Sequence, residues 1–169
     1  MTVTHPSRSS TAQNWLRTHP RSTIAWIALY LGAASLVVSG IDHIWQYYAN
    51  DYRTVPTIGR LFVLNFVSAI VVAAGLIAPI GRVTRRDADA IRALLAVAGI
   101  GIAVLSLGAL FISEWSSLFG FTENGYREAI VVAIASEVAA AVFLVVYLFA
   151  GRAALPRARD EAERRRGTC

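Results

Sequence analysis

Four long apolar runs dominate this chain and constrain its fold more than any other feature. Each run holds about 20 residues, enough for a helix rising about 1.5 Å per residue to cross a hydrocarbon core of about 30 Å. The runs cover residues 24–44, 61–80, 91–112 and 129–149. Because lipid offers the backbone no hydrogen-bond partner, each run must be helical. The sequence therefore predicts an all-α fold, an integral membrane four-helix bundle made of two helical hairpins.

The polar segments around these runs predict the remaining domain organisation. Residues 1–22 are rich in Ser, Thr, Arg and His and read as a cytoplasmic N-terminal tail. Residues 23–152 make the four-helix membrane domain, and residues 153–169 make a charged cytoplasmic C-terminal tail. Only 16% of the residues are charged, against about 25% in soluble domains. The first apolar run is too long for the apolar region of a cleavable signal peptide.

The arginines predict the orientation of the bundle. All 16 basic residues are Arg; thirteen lie in the two tails and the middle loop, and three lie in the other two loops, at positions 53, 60 and 127. By the positive-inside rule, both chain ends and the middle loop face the cytoplasm, which is an N-in/C-in topology. We therefore expect a multi-pass protein of the plasma (cytoplasmic) membrane. Arginines beside apolar runs indicate contact with the lipid bilayer and not with nucleic acid.

Cysteine usage and motifs argue against several kinds of chemistry. The single cysteine, Cys169, leaves no partner for a disulfide or a thiolate metal cluster within the chain. The sequence contains no recognisable nucleophile–base pair, phosphate-binding loop or cofactor fingerprint. We therefore predict a non-enzymatic protein and assign no catalytic or cofactor-binding residue, and the cofactors remain unknown.

Glu137 is the residue whose position most needs an explanation. It lies about nine residues into the fourth run, or about 13 Å along the helix and near the bilayer midplane. A charge there costs at least about 2.5 kcal/mol. Glu137 must therefore face the bundle interior or a cavity, and it must be protonated or paired. Asn65 and His43 are the first candidates for its partner.

Polar residues in the outer halves of the runs predict an intramembrane polar cluster, whereas the inner halves are almost purely apolar. Ser39 shares a helical stripe with Asp42 and His43, and Ser106 lies in the third run. The predicted cluster consists of Asp42, His43, Asn65, Ser68, Glu114 and Glu137. Three interpretations stay open. The cluster supplies interhelical hydrogen bonds, forms a proton or cation site of a small transporter, or binds a metal through Asp42, His43, Glu114 and Glu137.

Small and aromatic residues suggest neighbours in the membrane. Small residues recur four apart within the runs, as in Ser136 and Ala140, which lets helices approach closely. Phe119 and Phe121 lie on an outer loop. The leading prediction is an accessory or scaffold subunit of a larger membrane complex, with other membrane subunits as partners. The alternative is a small transporter or an ion- or metal-binding membrane protein that uses the polar cluster around Glu137.

Three segments carry a resemblance to known sequences. They are residues 43–45 (HIW), residues 55–65 (VPTIGRLFVLN) and residues 118–123 (LFGFTE), followed by Glu137 inside the last run. This pattern resembles that of uncharacterised small four-helix membrane proteins of actinobacteria. The resemblance covers the four runs and not the tails. It implies the four-helix architecture and a high-GC Gram-positive origin, and it implies no activity.

The N-in/C-in topology is testable by labelling single introduced cysteines from outside intact cells, with Cys169 replaced. We expect label at positions 54 and 124 and none at position 88, because Arg-rich segments stay in the cytoplasm. The reverse pattern would show that the orientation is inverted.

Overall fold

A computed structural model describes residues 20–82, 87–116 and 128–152 of the chain. Within these ranges the chain forms four helices and no strand: α1 (Pro20–Ala49), α2 (Pro56–Ile77), α3 (Ala88–Trp115) and α4 (Glu128–Arg152). Short 3-10 helices follow α1 (Tyr52–Thr54) and α2 (Ile80–Arg82). Each of the four helices is long and apolar enough to cross a membrane. The predicted all-α four-helix membrane bundle is therefore confirmed.

Local backbone chemistry, and not hydropathy alone, determines where the helices begin and end. Helix α1 continues five residues beyond the predicted run, to Ala49. Helix α2 begins at Pro56, five residues before the predicted start. A proline suits the first turn of a helix, because its fixed φ is helical. The N–H that proline lacks would have no partner within the helix at that position. Helix α2 ends at Ile77 because Ala78 precedes Pro79 and adopts ψ 146°, as residues before proline prefer.

Helix α1 makes the most extensive contacts of the four helices. It packs most extensively against α4 and then against α2, whereas α2 and α3 contact each other least among the helices that are neighbours in the bundle. Four leucines that are at most 1% exposed fill the core: Leu29, Leu36, Leu76 and Leu144. At Gly99 of α3 a Cβ atom would lie 2.7 Å from Leu144 and 2.9 Å from Leu36. The absence of a side chain at Gly99 therefore lets α3 approach α1 and α4.

The turn between α1 and α2 folds back onto α2. Asp51 adopts a left-handed conformation with φ 55°, and its carbonyl accepts hydrogen bonds from the Thr54 amide and hydroxyl. Tyr52 is buried and stacks on Phe62 of α2 with ring centroids 4.6 Å apart. A Cβ atom at Gly59 would lie 2.7 Å from the Tyr52 carbonyl oxygen. Gly59 is therefore required for this close approach. We call this end of the bundle the turn end.

Several sequence-based predictions fall outside the described residues. These are the two tails over most of their length and the loop containing Phe119 and Phe121. The orientation in the membrane also stays a prediction. The structure improves its test, because Ala88 is only 6% exposed whereas the side chain of Asp89 is 97% exposed. A cysteine at position 89 is therefore the better probe of that face.

Leu144→Ala should destabilise the bundle by about 2 kcal/mol, the lower end of the range for buried leucines, because lipid reduces the transfer contribution but not the lost packing. Thermal unfolding in mild detergent measures this. Val142→Ala is the matched control on the same helix, since Val142 is 53% exposed. Equal effects of the two substitutions would contradict the described packing of α4.

Candidate functional site

Glu137 lies where α1, α3 and α4 meet. Its side chain is buried, with the residue 2% exposed, and it faces the bundle interior. The Ser39 hydroxyl of α1 donates a hydrogen bond to Glu137 Oε1 over 3.3 Å. The Nε2 atom of His43 lies 3.7 Å from the same oxygen. The Ser106 hydroxyl of α3 also interacts with the Glu137 carboxyl group. Two helices, α1 and α3, thus place polar groups around the intramembrane carboxyl group of α4.

The hydrogen bonds of His43 fix the roles of its two ring nitrogens. Nδ1 lies 2.9 Å from the Ser39 carbonyl oxygen, and a carbonyl can only accept, so Nδ1 carries a proton. In the neutral ring Nε2 is then an acceptor, and the Ser106 hydroxyl donates to it over 3.2 Å. A carboxylate beside an Nε2 lone pair would be repelled. The distance of 3.7 Å from Nε2 to Glu137 Oε1 is too long for a hydrogen bond, so Glu137 lies beside Nε2 without bonding to it.

A cavity of about 310 Å³ opens beside this pair. All four helices and the buried Tyr52 contribute to its wall. Its polar lining residues are His43, Gln46, Tyr52, Asn65, Ser68, Ser106, Ser113 and Glu137, and the remaining ten are apolar. Most of the apolar wall comes from α2 and α3, which contact each other least among neighbouring helices. The cavity is therefore a consequence of the loose packing between α2 and α3.

Two residues of the wall show where the cavity meets the outer surface of the bundle. Leu64 of α2 and Leu105 of α3 both line the cavity, yet they are 60% and 76% exposed. On a membrane-spanning bundle an exposed leucine at that depth faces acyl chains. The cavity is therefore bordered by lipid along the cleft between α2 and α3.

The structure places the other predicted cluster residues differently. Asn65 and Ser68 line the cavity, but neither is bonded to Glu137. Asp42 accepts a hydrogen bond of 2.6 Å from Gln46 and is not part of the cavity wall. The Glu114 side chain lies outside the described residues. Of the two partners expected for Glu137, His43 is adjacent, while Asn65 faces the cavity and the hydrogen bond comes from Ser39.

The structure brings together only two of the four ligands that the metal-binding interpretation predicts. His43 and Glu137 lie together, but no group of three or more His, Cys, Asp or Glu side chains able to hold a metal occurs among the described side chains. Since Glu114 is not among them, the predicted set of Asp42, His43, Glu114 and Glu137 stays a prediction.

Ser39 and Ser106 are the site residues that the predicted cluster left out. Ser39 could have been found, because it lies one turn before His43 on the same stripe of α1. Ser106 was visible as a polar residue of the third run, but its position beside Glu137 was not, since the relative rotation of α3 against α1 is not encoded in hydropathy. The cavity had no sequence signal either, because it depends on the spacing between two helices.

Comparison of the chain with protein-family models, with curated proteins and with solved structures gave no match. The resemblance to actinobacterial four-helix membrane proteins therefore stays a prediction.

The proton arrangement at His43 is directly measurable. Nitrogen-15 NMR of histidine-labelled protein should show His43 protonated at Nδ1, because Ser39 offers only an acceptor there. Ser106→Ala should change the Nε2 signal and leave the Nδ1 signal in place. A ring protonated at Nε2 and bare at Nδ1 would contradict the described hydrogen bonds.

Proposed function

We propose that this protein binds a small amphiphilic molecule from the bilayer, in the cavity between α2 and α3. One observation carries the proposal: a mainly apolar cavity of about 310 Å³ whose wall includes buried polar groups as well as residues that face lipid. Ligand sites in proteins usually begin at about 300 Å³ and combine apolar walls with a few polar groups.

The edge of the cavity supports a ligand that arrives through lipid. Leu64 and Leu105 are shared between the cavity wall and the exposed surface, so an apolar molecule could pass between α2 and α3 without crossing water. The loose contact between these helices favours such passage. A membrane-dissolved amphiphile is the class of ligand that suits a lateral entrance of this kind.

The rest of the bundle supports binding in preference to transport. On the side of Glu137 away from the turn end, the core consists of apolar residues that include Leu29, Leu36, Leu76 and Leu144. A transported polar species would need a continuous polar route through this region. Within the described residues the core there is closely packed and apolar, which argues against such a route in a single chain.

The arrangement of Ser106, His43 and Glu137 supports a binding role more than a catalytic one. In a nucleophilic triad the carboxylate bonds one ring nitrogen of the histidine and the serine bonds the other. Here Ser106 and Glu137 both lie at Nε2, and Nδ1 is bonded to a backbone carbonyl. His43 thus lacks the carboxylate that would orient it as a general base.

The proposal predicts that filling the cavity abolishes binding. Ala109 lines the cavity, so Ala109→Phe should weaken binding of the fluorescent amphiphile anthracene-methanol at least about tenfold, or about 1.4 kcal/mol. The measurement is saturable fluorescence polarisation in nanodiscs, corrected for partitioning into empty nanodiscs. Ala98→Phe is the control, because Ala98 is an exposed residue of the same helix outside the cavity.

Two results would overturn this proposal. One is the absence of saturable binding of any anthracene probe to the wild-type protein. The other is equal binding by Ala109→Phe and Ala98→Phe, provided that both variants unfold at temperatures close to that of the wild type.

The accessory-subunit role is the second candidate function. It is favoured by α3, where a Cβ atom at Gly101 or Gly108 would meet nothing within 4 Å among the described residues. Glycines with open space allow another helix to approach closely. By contrast, the Ser136 and Ala140 pair is buried inside the bundle. Extraction of the native protein in mild detergent tests this role, and migration as a lone monomer would contradict it.

A further inference from the structure

We infer that the cavity selects an uncharged ligand with a hydroxyl head group, held by the carboxamide of Asn65. This inference rests on the proposed function and narrows it to one ligand chemistry. It follows from three observations: the hydrogen bonds already made inside the cavity, the amide oxygen that accepts none, and the charges along the wall.

Asn65 lines the cavity with an amide oxygen whose hydrogen-bonding capacity is unused. Its Oδ1 atom is buried and has no hydrogen-bond partner within the described part of the chain. Asn65 lines the cavity, and its Oδ1 and Nδ2 exchange places by rotation about one bond. An unpaired buried amide is costly in protein and more so in lipid. A ligand that supplies the missing partner would remove that cost.

The other polar groups of the wall are largely committed to the protein. Ser106 donates to His43, and His43 donates to the Ser39 carbonyl. Gln46 donates to Asp42, and Ser113 donates to the Leu110 carbonyl. Ser68 lies three residues after Asn65 on the same face of α2 and also lines the cavity. The available site is therefore centred on Asn65, with Ser68 beside it.

The charges of the wall exclude an anionic head group. No arginine lies among the residues that line the cavity, and Glu137 is the one carboxyl group there. A bound carboxylate or phosphate would be desolvated without a counter-charge and would lie close to an acidic side chain. A cationic head group would have to leave water and lie deep in the bundle with a single carboxyl group as its partner. A hydroxyl needs neither counter-charge nor proton transfer, and it matches either atom of the Asn65 amide.

Four anthracene probes that differ only in the head group test this inference. They are anthracene-methanol, methylanthracene, anthracene carboxylic acid and aminomethyl-anthracene. We expect the alcohol to bind wild-type protein in nanodiscs about tenfold more tightly than methylanthracene, since one hydrogen bond to a buried amide is gained. The acid and the amine should bind more weakly than the alcohol.

Variants of α2 assign the preference to Asn65. Asn65→Leu should bind the alcohol and methylanthracene with equal affinity, while Asn65→Ser, which keeps a donor and an acceptor, should retain part of the preference. Val67→Leu is the control, because Val67 is exposed on the same helix and outside the cavity. If Asn65→Leu does not fold, Asn65→Ala supplies the same comparison.

The outcomes separate this inference from the proposed function. Equal binding of the alcohol and methylanthracene to the wild type, with both lost in Ala109→Phe, would overturn the inference and leave the binding function standing. Tighter binding of the amine or the acid than of the alcohol would show that the site prefers a charged head group. That result would also overturn the inference. The absence of saturable binding for all four probes contradicts both proposals.

Discussion

The buried contact of Glu137 with Ser39 and His43 is the constraint on which the arrangement of the bundle depends. A carboxyl group inside a membrane needs polar partners, and α1 supplies two of them one helical turn apart. Ser39 donates a hydrogen bond, and the His43 ring lies 3.7 Å away. This requirement fixes the rotation and the height of α4 against α1. Ser106 extends the same contact to α3. Apolar packing alone does not determine such a register, because lipid provides little hydrophobic driving force between helices.

The space between α2 and α3 is a consequence of how the other helices pack, because α1 packs extensively against α4 and α2. Helix α3 approaches the other helices closely at Gly99, where side-chain volume is missing, and at that level the core is filled by Leu36 and Leu144. Towards the turn end, the buried Tyr52 stacks on Phe62 of α2. This pair occupies the α1–α2 side of the bundle and leaves room beside α3. The polar groups that α1 and α4 bring together therefore line a cavity and are not covered by apolar side chains.

The sequence predicts the helices well and the site only partly, for a physical reason. Hydropathy over about 20 residues reports burial in lipid, so the four spans are readable, while Pro56 and Pro79 set the ends of α2 through backbone chemistry. The interior location of Glu137 is readable because a charge facing lipid is so costly. The hydrogen-bond partner of Glu137 is not readable from the sequence. The choice of Ser39 over Asn65 depends on helix rotation, and packing among all four helices decides that rotation.

The position of the polar groups also constrains how an amphiphile would lie in the cavity. Asn65 and Glu137 are each nine residues from the start of their helices, about 13 Å along the helix axis and well inside the membrane. The leucines that border lipid, Leu64 and Leu105, lie beside them at the cleft. A bound head group would therefore leave the membrane surface, where lipid head groups normally reside. Charged head groups resist this transfer far more than hydroxyls do, because burying an ion costs much more than burying a neutral polar group. The depth of the site thus favours an uncharged ligand independently of the contacts at Asn65.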